Sequence, residues 1–295
     1  MDIIQLQDRQ DGWRIHRFAD EASRNAVLAT HDIRLGQGVT FADYAMLGDH
    51  CVIGDGVHLS EESVVSHHCH IGEDTLLDAG AFVSMRTHIG DHCMLAADSF
   101  VGPDSVIGSG CQIGRATELG EKVRLGSNVS VGEGGYIMDE TEIKEGSVIG
   151  QAVFIGKRSR GGFFVMIGDD SKLVSDVYIQ DGVSIVAGSM IPSFSQVTRS
   201  GTQVDQDRVT KALAQMAGTV RFDTLATFTS LEGVRCIRAQ VGGVWLPSKR
   251  VGMNDSFAFA EGRMSLREMA EKYIAPDYAR QALAQEEQRV AGIRR

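Results

Sequence analysis

The sequence is poor in proline and aromatic residues and has no long apolar run, and each shortage excludes a class of protein. With only 4 Pro among 295 residues, the chain is not a proline-rich linker or low-complexity protein. A hydrophobic content of 43% excludes intrinsic disorder, and no stretch approaches the roughly 20 apolar residues of a membrane span. The first residues lack the basic segment and apolar run of a secretory signal. We therefore expect a folded cytoplasmic protein without a membrane segment.

Basic residues are also scarce over the first two thirds of the chain. Residues 1–201 contain 15 Lys and Arg against 28 Asp and Glu, a net charge of −13, whereas residues 202–295 contain 14 against 11, a net of +3. Phosphate binding requires clustered Lys and Arg, so we do not expect the first region to bind nucleic acid or anionic membranes. The composition leaves nucleic-acid binding by the last region open.

Glycine, by contrast, is abundant at 34 residues, and a six-residue repeat explains why. Stepping by six from Leu35 to Val197 gives 28 positions, of which 26 are Leu, Ile or Val and the others are Phe41 and Gly161. Four residues after each of these stands Val, Ala, Ser, Thr, Cys or Gly, and in 15 hexads Gly follows the first position directly. One large and one small inward position describe a short strand and a corner, where Gly would tolerate the turn backbone.

Three such strands close a coil of 18 residues, so the 28 hexads predict an all-β solenoid of about nine stacked coils. Over residues 35–201 this pattern resembles the hexapeptide-repeat superfamily of left-handed parallel β-helix proteins, which includes many acyltransferases. The resemblance implies the left hand and a homotrimer with active sites between neighbouring subunits. We expect an N-terminal cap at 1–30, the left-handed β-helix at 31–201 and a small C-terminal α+β domain at 202–295.

The regions on either side of the repeat carry other patterns. Apolar and polar side chains alternate over residues 13–18, as in a strand, and residues 19–29 are typical of a short helix. We expect both to cap the first coil. After the repeat we expect a helix at about 205–217, strands in LATFTSL, VRCIRAQV and GVWLP, and helices at about 265–273 and 276–290. The end of the chain is faintly similar to helix-turn-helix modules, with capping or oligomerisation as the alternative.

The cysteines of the repeat share one position in the hexad. All of them occupy the small inward position, at Cys51, Cys69, Cys93 and Cys111. We therefore expect core thiols and neither disulfides nor metal ligands.

Histidines gather near the start of the repeat, where the 18-residue offset places them in columns. The columns are His50, His68 and Arg86; His70 and His88; and His31, Asp49 and His67. None of these residues lies at an inward position, so we expect an exposed patch of imidazoles over about three coils. A solvated surface without chemistry is the alternative.

The run from Val65 to Gly72, VSHHCHIG, is similar to the V-x-H-x-C-x-I-G run of sugar-acetylating hexapeptide acyltransferases. The resemblance implies that His67 is the general base, which takes a proton from a hydroxyl or amine of a small acceptor as it attacks an acyl-CoA thioester. A carboxylate on the other ring nitrogen would fix the tautomer, and Asp49, directly beneath, is the candidate. His68 stands where that group has an acidic residue, which leaves the acceptor open.

An acyl-CoA co-substrate also needs a site for its phosphates. Lys157, Arg158 and Arg160 lie within four positions, beside Gly161, where the aliphatic series is broken. We expect this basic turn to bind the phosphates of acetyl-CoA or another acyl-CoA. The turn lies five coils, or about 24 Å, from residue 67. A solvated corner is the alternative.

Two further functions fit parts of the same sequence. The segment His67–Gly72 partly matches the zinc-binding run of γ-carbonic anhydrases, but Glu62 replaces its preceding His. No metal is therefore expected, and the ligands to suspect if one binds are His67, His70 and His88. A non-catalytic scaffold is the other alternative, with 202–295 as its partner-binding domain, because the last coil also resembles that of non-enzymatic members and no loop interrupts the repeat.

Overall fold

The computed structural model describes residues 2–8, 12–230 and 234–292. The chain divides into two compact units, Met1–Val204 and Asp205–Arg295. The first unit is a parallel β-solenoid of about nine coils, and the second combines antiparallel strands with helices. The predicted β-helix with a small α+β domain is thus confirmed.

The first unit begins with a cap. Strand β1 (Asp2–Asp8) pairs antiparallel with β2 (Gly12–Phe18), and helix α1 (Glu21–Thr30) follows. The helix begins where it was predicted because Asp20 accepts the amide hydrogen of Ser23 at 2.8 Å. Strand β1 was not predicted from the sequence.

The solenoid consists of short strands stacked in three parallel sheets, here called faces 1, 2 and 3. Each strand pairs in register with the strand 18 residues further on. Face 1 contains β3 (Arg34–Leu35), β6 (Val52–Ile53), β9 (His70–Ile71), β12 (His88–Ile89), β15 (Val106–Ile107), β18 (Arg124–Leu125), β21 (Glu142–Ile143), β24 (Arg160–Gly161), β27 (Tyr178–Ile179) and β30 (Ser195–Thr198). Face 2 contains β4 (Thr40–Phe41), β7 (His58–Leu59), β10 (Leu76–Leu77), β13 (Met94–Leu95), β16 (Gln112–Ile113), β19 (Ser130–Val131), β22 (Val148–Ile149), β25 (Met166–Ile167) and β28 (Ser184–Ile185). Face 3 contains β5 (Ala45–Leu47), β8 (Val64–Val65), β11 (Phe82–Val83), β14 (Phe100–Val101), β17 (Glu118–Leu119), β20 (Tyr136–Ile137), β23 (Phe154–Ile155), β26 (Lys172–Leu173) and β29 (Met190–Ile191).

Both ends of the solenoid are closed by extra strands. At the start, β1 pairs parallel with β5 of face 3, which places Ile4 and Leu6 in the main core. At the end, β31 (Gly201–Val204) turns back and pairs antiparallel with β30. The first unit therefore ends at Val204, slightly beyond the expected boundary at residue 201.

The small inward position links successive coils by hydrogen bonds. The Cys111 thiol donates to the carbonyl oxygen of Gly126 at 3.1 Å, and the Thr117 hydroxyl donates to that of Gly132 at 2.8 Å. Each bond runs from the interior to a corner carbonyl 15 residues later, so a small polar side chain is satisfied inside an apolar core. The cysteines of the repeat are buried and free, as predicted.

The hexad glycines have a different cause from the one predicted. Every sixth residue from Gly38 to Phe194 has φ between +49° and +72°, but this position lies two residues after the hexad glycine and mostly holds other residue types. The glycine is needed because the corners of adjacent coils touch. A Cβ on Gly72 would lie 2.5 Å from the carbonyl carbon of Gly90 in the next coil. Close backbone approach, and not a left-handed turn, therefore selects glycine there.

The second unit contains α2 (Gln206–Thr219), β32 (Thr224–Thr229), β33 (Arg235–Val241), β34 (Val244–Trp245), β35 (Lys249–Arg250), α3 (Met253–Ala260), α4 (Leu266–Tyr273) and α5 (Ala275–Gly292). Strand β33 pairs antiparallel with β32, β34 and β35, and its Ile237 and Ala239 belong to a core with Met269 and Ile274. Helix α3 was not predicted, and its N-cap, Gly252, offers no capping side chain. Within the described ranges, no helix is long and apolar enough to cross a membrane.

Two serines of the small inward position should lower the stability of the solenoid. Among the described residues, the hydroxyls of Ser63 and Ser99 are buried without a hydrogen-bond partner. For Ser63 the carbonyl 15 residues later, on Asp78, accepts the amide hydrogen of Ala81 at 2.9 Å instead. We therefore expect Ser63→Ala and Ser99→Ala each to raise the free energy of unfolding by about 1 kcal/mol, measured by denaturant titration.

The matched control is Ser105, which is equally buried but satisfied. Its hydroxyl donates to the carbonyl of Gly120 at 3.2 Å and accepts the amide hydrogen of Val123 at 3.1 Å. Ser105→Ala should lower the free energy of unfolding by about 1–3 kcal/mol. Destabilisation by all three substitutions would contradict this account of the inward position.

Candidate functional site

Six ionisable residues meet where the chain enters face 1 in the first coils, after helix α1 in the first case and after a face 3 strand in the next two. This histidine corner consists of His31 and Asp32, of Asp49 and His50 one coil later, and of His67 and His68 in the coil after that. The second residue of each pair has φ between +54° and +60°, as the repeat requires. The turn thus holds two adjacent side chains per coil in fixed positions, and the 18-residue register stacks them.

Each aspartate of the corner bonds a histidine of the neighbouring coil. His31 Nδ1 lies 2.8 Å from Asp49 Oδ1, and His50 Nδ1 lies 2.9 Å from Asp32 Oδ2. A carboxylate accepts only, so Nδ1 carries a proton in both rings, and in the neutral ring Nε2 presents a lone pair. The hydrogen bond and charge of His50 hold the pKa of Asp32 below its ordinary value.

Burial distinguishes the two pairs. The side chains of His31 and Asp49 are 19% and 10% exposed, against 34% and 63% for His50 and Asp32. Solvent screens the second pair more strongly, so the interaction between carboxylate and imidazole is stronger in the first. A carboxylate-oriented imidazole with an unprotonated Nε2 is the arrangement of a general base.

His67, the predicted base, has a different bonding pattern. Its Nδ1 accepts the backbone amide hydrogen of Asp49 at 3.0 Å, so the neutral ring carries its proton on Nε2. The carboxylate of Asp49 bonds His31. His67 therefore presents a donor, and both imidazoles converge on Asp49. The approach needs Gly48, since a Cβ there would lie 3.0 Å from His67 Nδ1.

The remaining histidines of the patch stack between coils. The rings of His50 and His68 lie 4.6 Å apart at 6°, and those of His70 and His88 lie 4.6 Å apart at 5°. His70 and His88 belong to face 1, whereas His67 lies in the turn before it. Among the described residues no three His, Cys, Asp or Glu side chains are placed to hold a metal ion, so His67, His70 and His88 are not brought together as a ligand set.

The basic turn predicted to bind the donor is largely occupied by carboxylates. Lys157 Nζ lies 2.7 Å from Asp139 Oδ2, and this ammonium holds the pKa of Asp139 below its ordinary value. Arg158 forms two hydrogen bonds with Asp176, at 2.7 and 3.2 Å. Arg160 is exposed on strand β24 of face 1. Phosphate binding by all three residues would require the first two to exchange their carboxylate partners.

Arg158 stands in the same column as His50 and His68, which makes the histidine corner the first part of a longer ladder. Further along this column, Arg86 forms two hydrogen bonds with Asp104, at 2.7 and 2.9 Å. Opposite charges one coil apart therefore pair along the corner, since the column repeats every 18 residues. Exposed pairs of this kind contribute little to stability, because water screens the charges.

Two aromatic residues beside the basic turn were missed by the sequence reasoning. Phe163 and Phe164 are 41% and 63% exposed, and Lys144 Nζ lies 4.7 Å from the centre of the Phe163 ring. The sequence feature that could have revealed them is two adjacent aromatic residues at outward positions of a repeat that has few aromatic residues. The nearby break at Gly161 is filled by Ile143, whose Cδ1 would lie 3.0 Å from a Cβ at residue 161.

The stacked histidines of face 1, His70 and His88, should make the stability of the protein depend on pH. Burial, followed by the charge of His70, lowers the pKa of His88. A histidine with a lowered pKa binds protons less readily in the folded state, so its contribution to stability is present above the unfolded pKa of about 6.5 and is lost as pH falls toward the folded pKa. The melting temperature should therefore fall between about pH 7 and pH 5, and by less in His88→Gln.

The control for that measurement is His92→Gln, which changes an imidazole that is 68% exposed at a corner. It should reproduce the wild-type dependence on pH. The same dependence in wild type and both variants would remove His88 as its source.

A family model and several solved structures of known proteins are similar to parts of this chain. The family model of the GMPPB C-terminal domain matches residues 95–206. The UDP-N-acetylglucosamine acyltransferase of Arabidopsis is 20% identical at a TM-score of 0.38, with 56% of this chain and 59% of that chain covered, so the match spans less than two thirds of that enzyme. The acyltransferase of Bacteroides fragilis is 16% identical at a TM-score of 0.36, with 59% and 70% covered. No curated protein sequence matches. The unbroken hexads and the three parallel sheets in 18-residue register are consistent with the hexapeptide-repeat superfamily of parallel β-helix proteins.

Proposed function

We propose that this chain is an acyl-CoA-dependent acyltransferase that acts in the cytoplasm on a hydroxyl or amino group of a small, sugar-like acceptor. The observation that supports the proposal most directly is the half-buried pair of His31 and Asp49, with 2.8 Å between Nδ1 and Oδ1. Such a pair fixes the tautomer and stabilises the imidazolium that forms when the base takes a proton.

The chemical step uses the residues of the histidine corner. His31 takes the proton of the acceptor through Nε2 while the acceptor oxygen or nitrogen attacks the thioester carbonyl carbon. Asp49 stabilises the resulting positive charge. When the carbon–sulfur bond breaks, the His31 imidazolium returns the proton to the departing thiolate. His67 donates a hydrogen bond from Nε2 to bound substrate, a role that its acceptance of the Asp49 amide hydrogen favours over that of base.

The donor is proposed to lie along the solenoid axis with its phosphates at the basic turn. Arg160, which is exposed, makes the first contact, and Lys157 and Arg158 join it by exchanging carboxylate partners for phosphate oxygens. Asp49 and Lys157 are six coils, or about 29 Å, apart, so the donor must bind in an extended form.

We also propose that the active protein is a homotrimer. In such an assembly the histidine corner of one subunit would face its neighbour, which would close the site to water and strengthen its electrostatic interactions. Sedimentation equilibrium should then give a mass three times the 31.9 kDa of one chain. A monomer that is fully active would overturn this part of the proposal.

The catalytic assignment is tested by kinetics with acetyl-CoA and a panel of amino sugars and sugar alcohols. His31→Gln and Asp49→Asn should each lower kcat by about 100- to 10,000-fold, the range of general-base catalysis. His67→Gln should mainly raise KM for the acceptor. His92→Gln, at an exposed corner outside the site, should keep the wild-type rate.

The same variants distinguish the two histidines as base. Loss of activity in His67→Gln with a normal rate in His31→Gln would return the role of base to His67. Normal rates in both would remove the histidine corner from catalysis.

The donor site is tested separately by calorimetric titration of acetyl-CoA. Arg160→Gln should weaken binding about tenfold, as expected when one charged contact to phosphate is lost. Arg124→Gln, which changes another exposed arginine of face 1, is the matched control and should leave the affinity unchanged. Acetyl-CoA that binds wild type and Arg160→Gln equally would move the donor site elsewhere, whereas no binding at millimolar donor would overturn the acyltransferase proposal.

A further inference from the structure

The sheet of the second unit has two unlike faces. On one side, Ile237 and Ala239 of β33 are fully buried in the core of the unit. Side chains alternate along a strand, and directly opposed residues of antiparallel strands share a face. The register therefore places a second set of residues on the opposite face, here called the outer face: Thr224, Ala226, Phe228, Cys236, Arg238, Gln240, Trp245 and Arg250, of which Cys236 is buried.

This outer face exposes large aromatic rings in a chain that has few. Phe228 is 42% exposed and Trp245 is 43% exposed. Trp245 is one of 2 tryptophans in the sequence. Two partly exposed aromatic rings on one sheet leave apolar surface in contact with water. A ligand that covers them would remove that surface from water.

An arginine holds the two rings as one platform. The guanidinium carbon of Arg238 lies 4.5 Å from the centre of the Trp245 ring and 6.0 Å from that of the Phe228 ring. The ring centres are therefore no further apart than the sum of these two distances. The cation between the rings restrains their orientation and adds a charged donor beside two π-faces.

The charge of the outer face has one sign. Its ionisable side chains besides Cys236 are Arg238 and Arg250, both exposed, and its eight residues include no aspartate or glutamate. Residues 202–295 have a net charge of +3, whereas residues 1–201 have −13. A polyanion would be repelled by the first region and attracted to this face.

We propose that the outer face binds single-stranded nucleic acid. Phe228 and Trp245 stack on unpaired bases, because every base offers a π-face to an exposed aromatic ring. Arg238 contacts a phosphate beside them. Single strands are favoured over duplex DNA, whose bases are already stacked on one another, and over acidic peptides, which have no planar group for each ring. This inference is independent of the acyltransferase proposal.

The experiment uses the full chain carrying Trp13→Phe, so that Trp245 is the one remaining tryptophan. An oligothymidylate of about 12 nucleotides, a length that a small binding surface covers, is titrated at low salt. We expect quenching of Trp245 fluorescence and a matching rise in the anisotropy of a labelled oligonucleotide. Affinity should fall as salt rises, because a phosphate contact releases counterions.

Variants and competitors make the result specific. Phe228→Ala and Arg238→Gln should each weaken binding about tenfold, within the range measured for loss of one stacked base. Phe257→Ala is the matched control, since this residue of α3 is 59% exposed and lies off the sheet. Circular dichroism would confirm that each variant retains its helices.

Three outcomes would overturn the proposal. One is the absence of quenching and of an anisotropy change up to about 100 μM oligonucleotide, the weak end of non-specific binding. Another is equal binding of poly-L-glutamate, which would assign the face to acidic polypeptides. The last is equal weakening by Phe257→Ala, which would show that the rings of the outer face are not specifically involved.

Discussion

The constraint on which this molecule depends is the parallel register of 18 residues. Each short strand hydrogen-bonds to its counterpart one coil away, as His70 does to His88, so a shift by one residue would turn every inward side chain outward. The register between neighbouring strands cannot shift, because large aliphatic and small side chains alternate at the inward positions and each must meet its own kind of position in the next coil. At the corners, backbone meets backbone, which explains the glycines that no left-handed turn demands.

The same register creates the electrostatics of the histidine corner. It repeats one turn conformation in every coil. Residues 18 apart therefore occupy the same position in successive coils, about 4.8 Å from one another. Residues that are distant in sequence, such as His31 and Asp49, are therefore neighbours by construction. Along the rest of that column the spacing produces ion pairs such as Arg86 with Asp104. The same column therefore holds imidazoles in the first coils and pairs of arginine and aspartate further along.

Much of the candidate site could be located from the sequence, but its bonding could not. The 18-residue offset placed Asp49 beneath His67, and the two do touch. Which atoms touch depends on rotamers and on which group reaches a ring nitrogen first. The backbone amide of Asp49 bonds His67, and the carboxylate of Asp49 bonds His31. The same limit applies at the basic turn, where Lys157 and Arg158 were correctly seen as cations but not as partners of Asp139 and Asp176.

The sequence by itself determined the coil, its length, its inward residues and the columns on its surface, since a strictly periodic fold converts residue number into position. It also indicated helices α2, α4 and α5 of the second unit, the start of α4 through its capping residue Ser265, but not α3. Only the tertiary structure decided which imidazole carries its proton on which nitrogen, and that Phe228, Arg238 and Trp245 share one open sheet face. These features arise from pairing between strands and from side-chain rotamers, which depend on neighbours in space that no local period specifies.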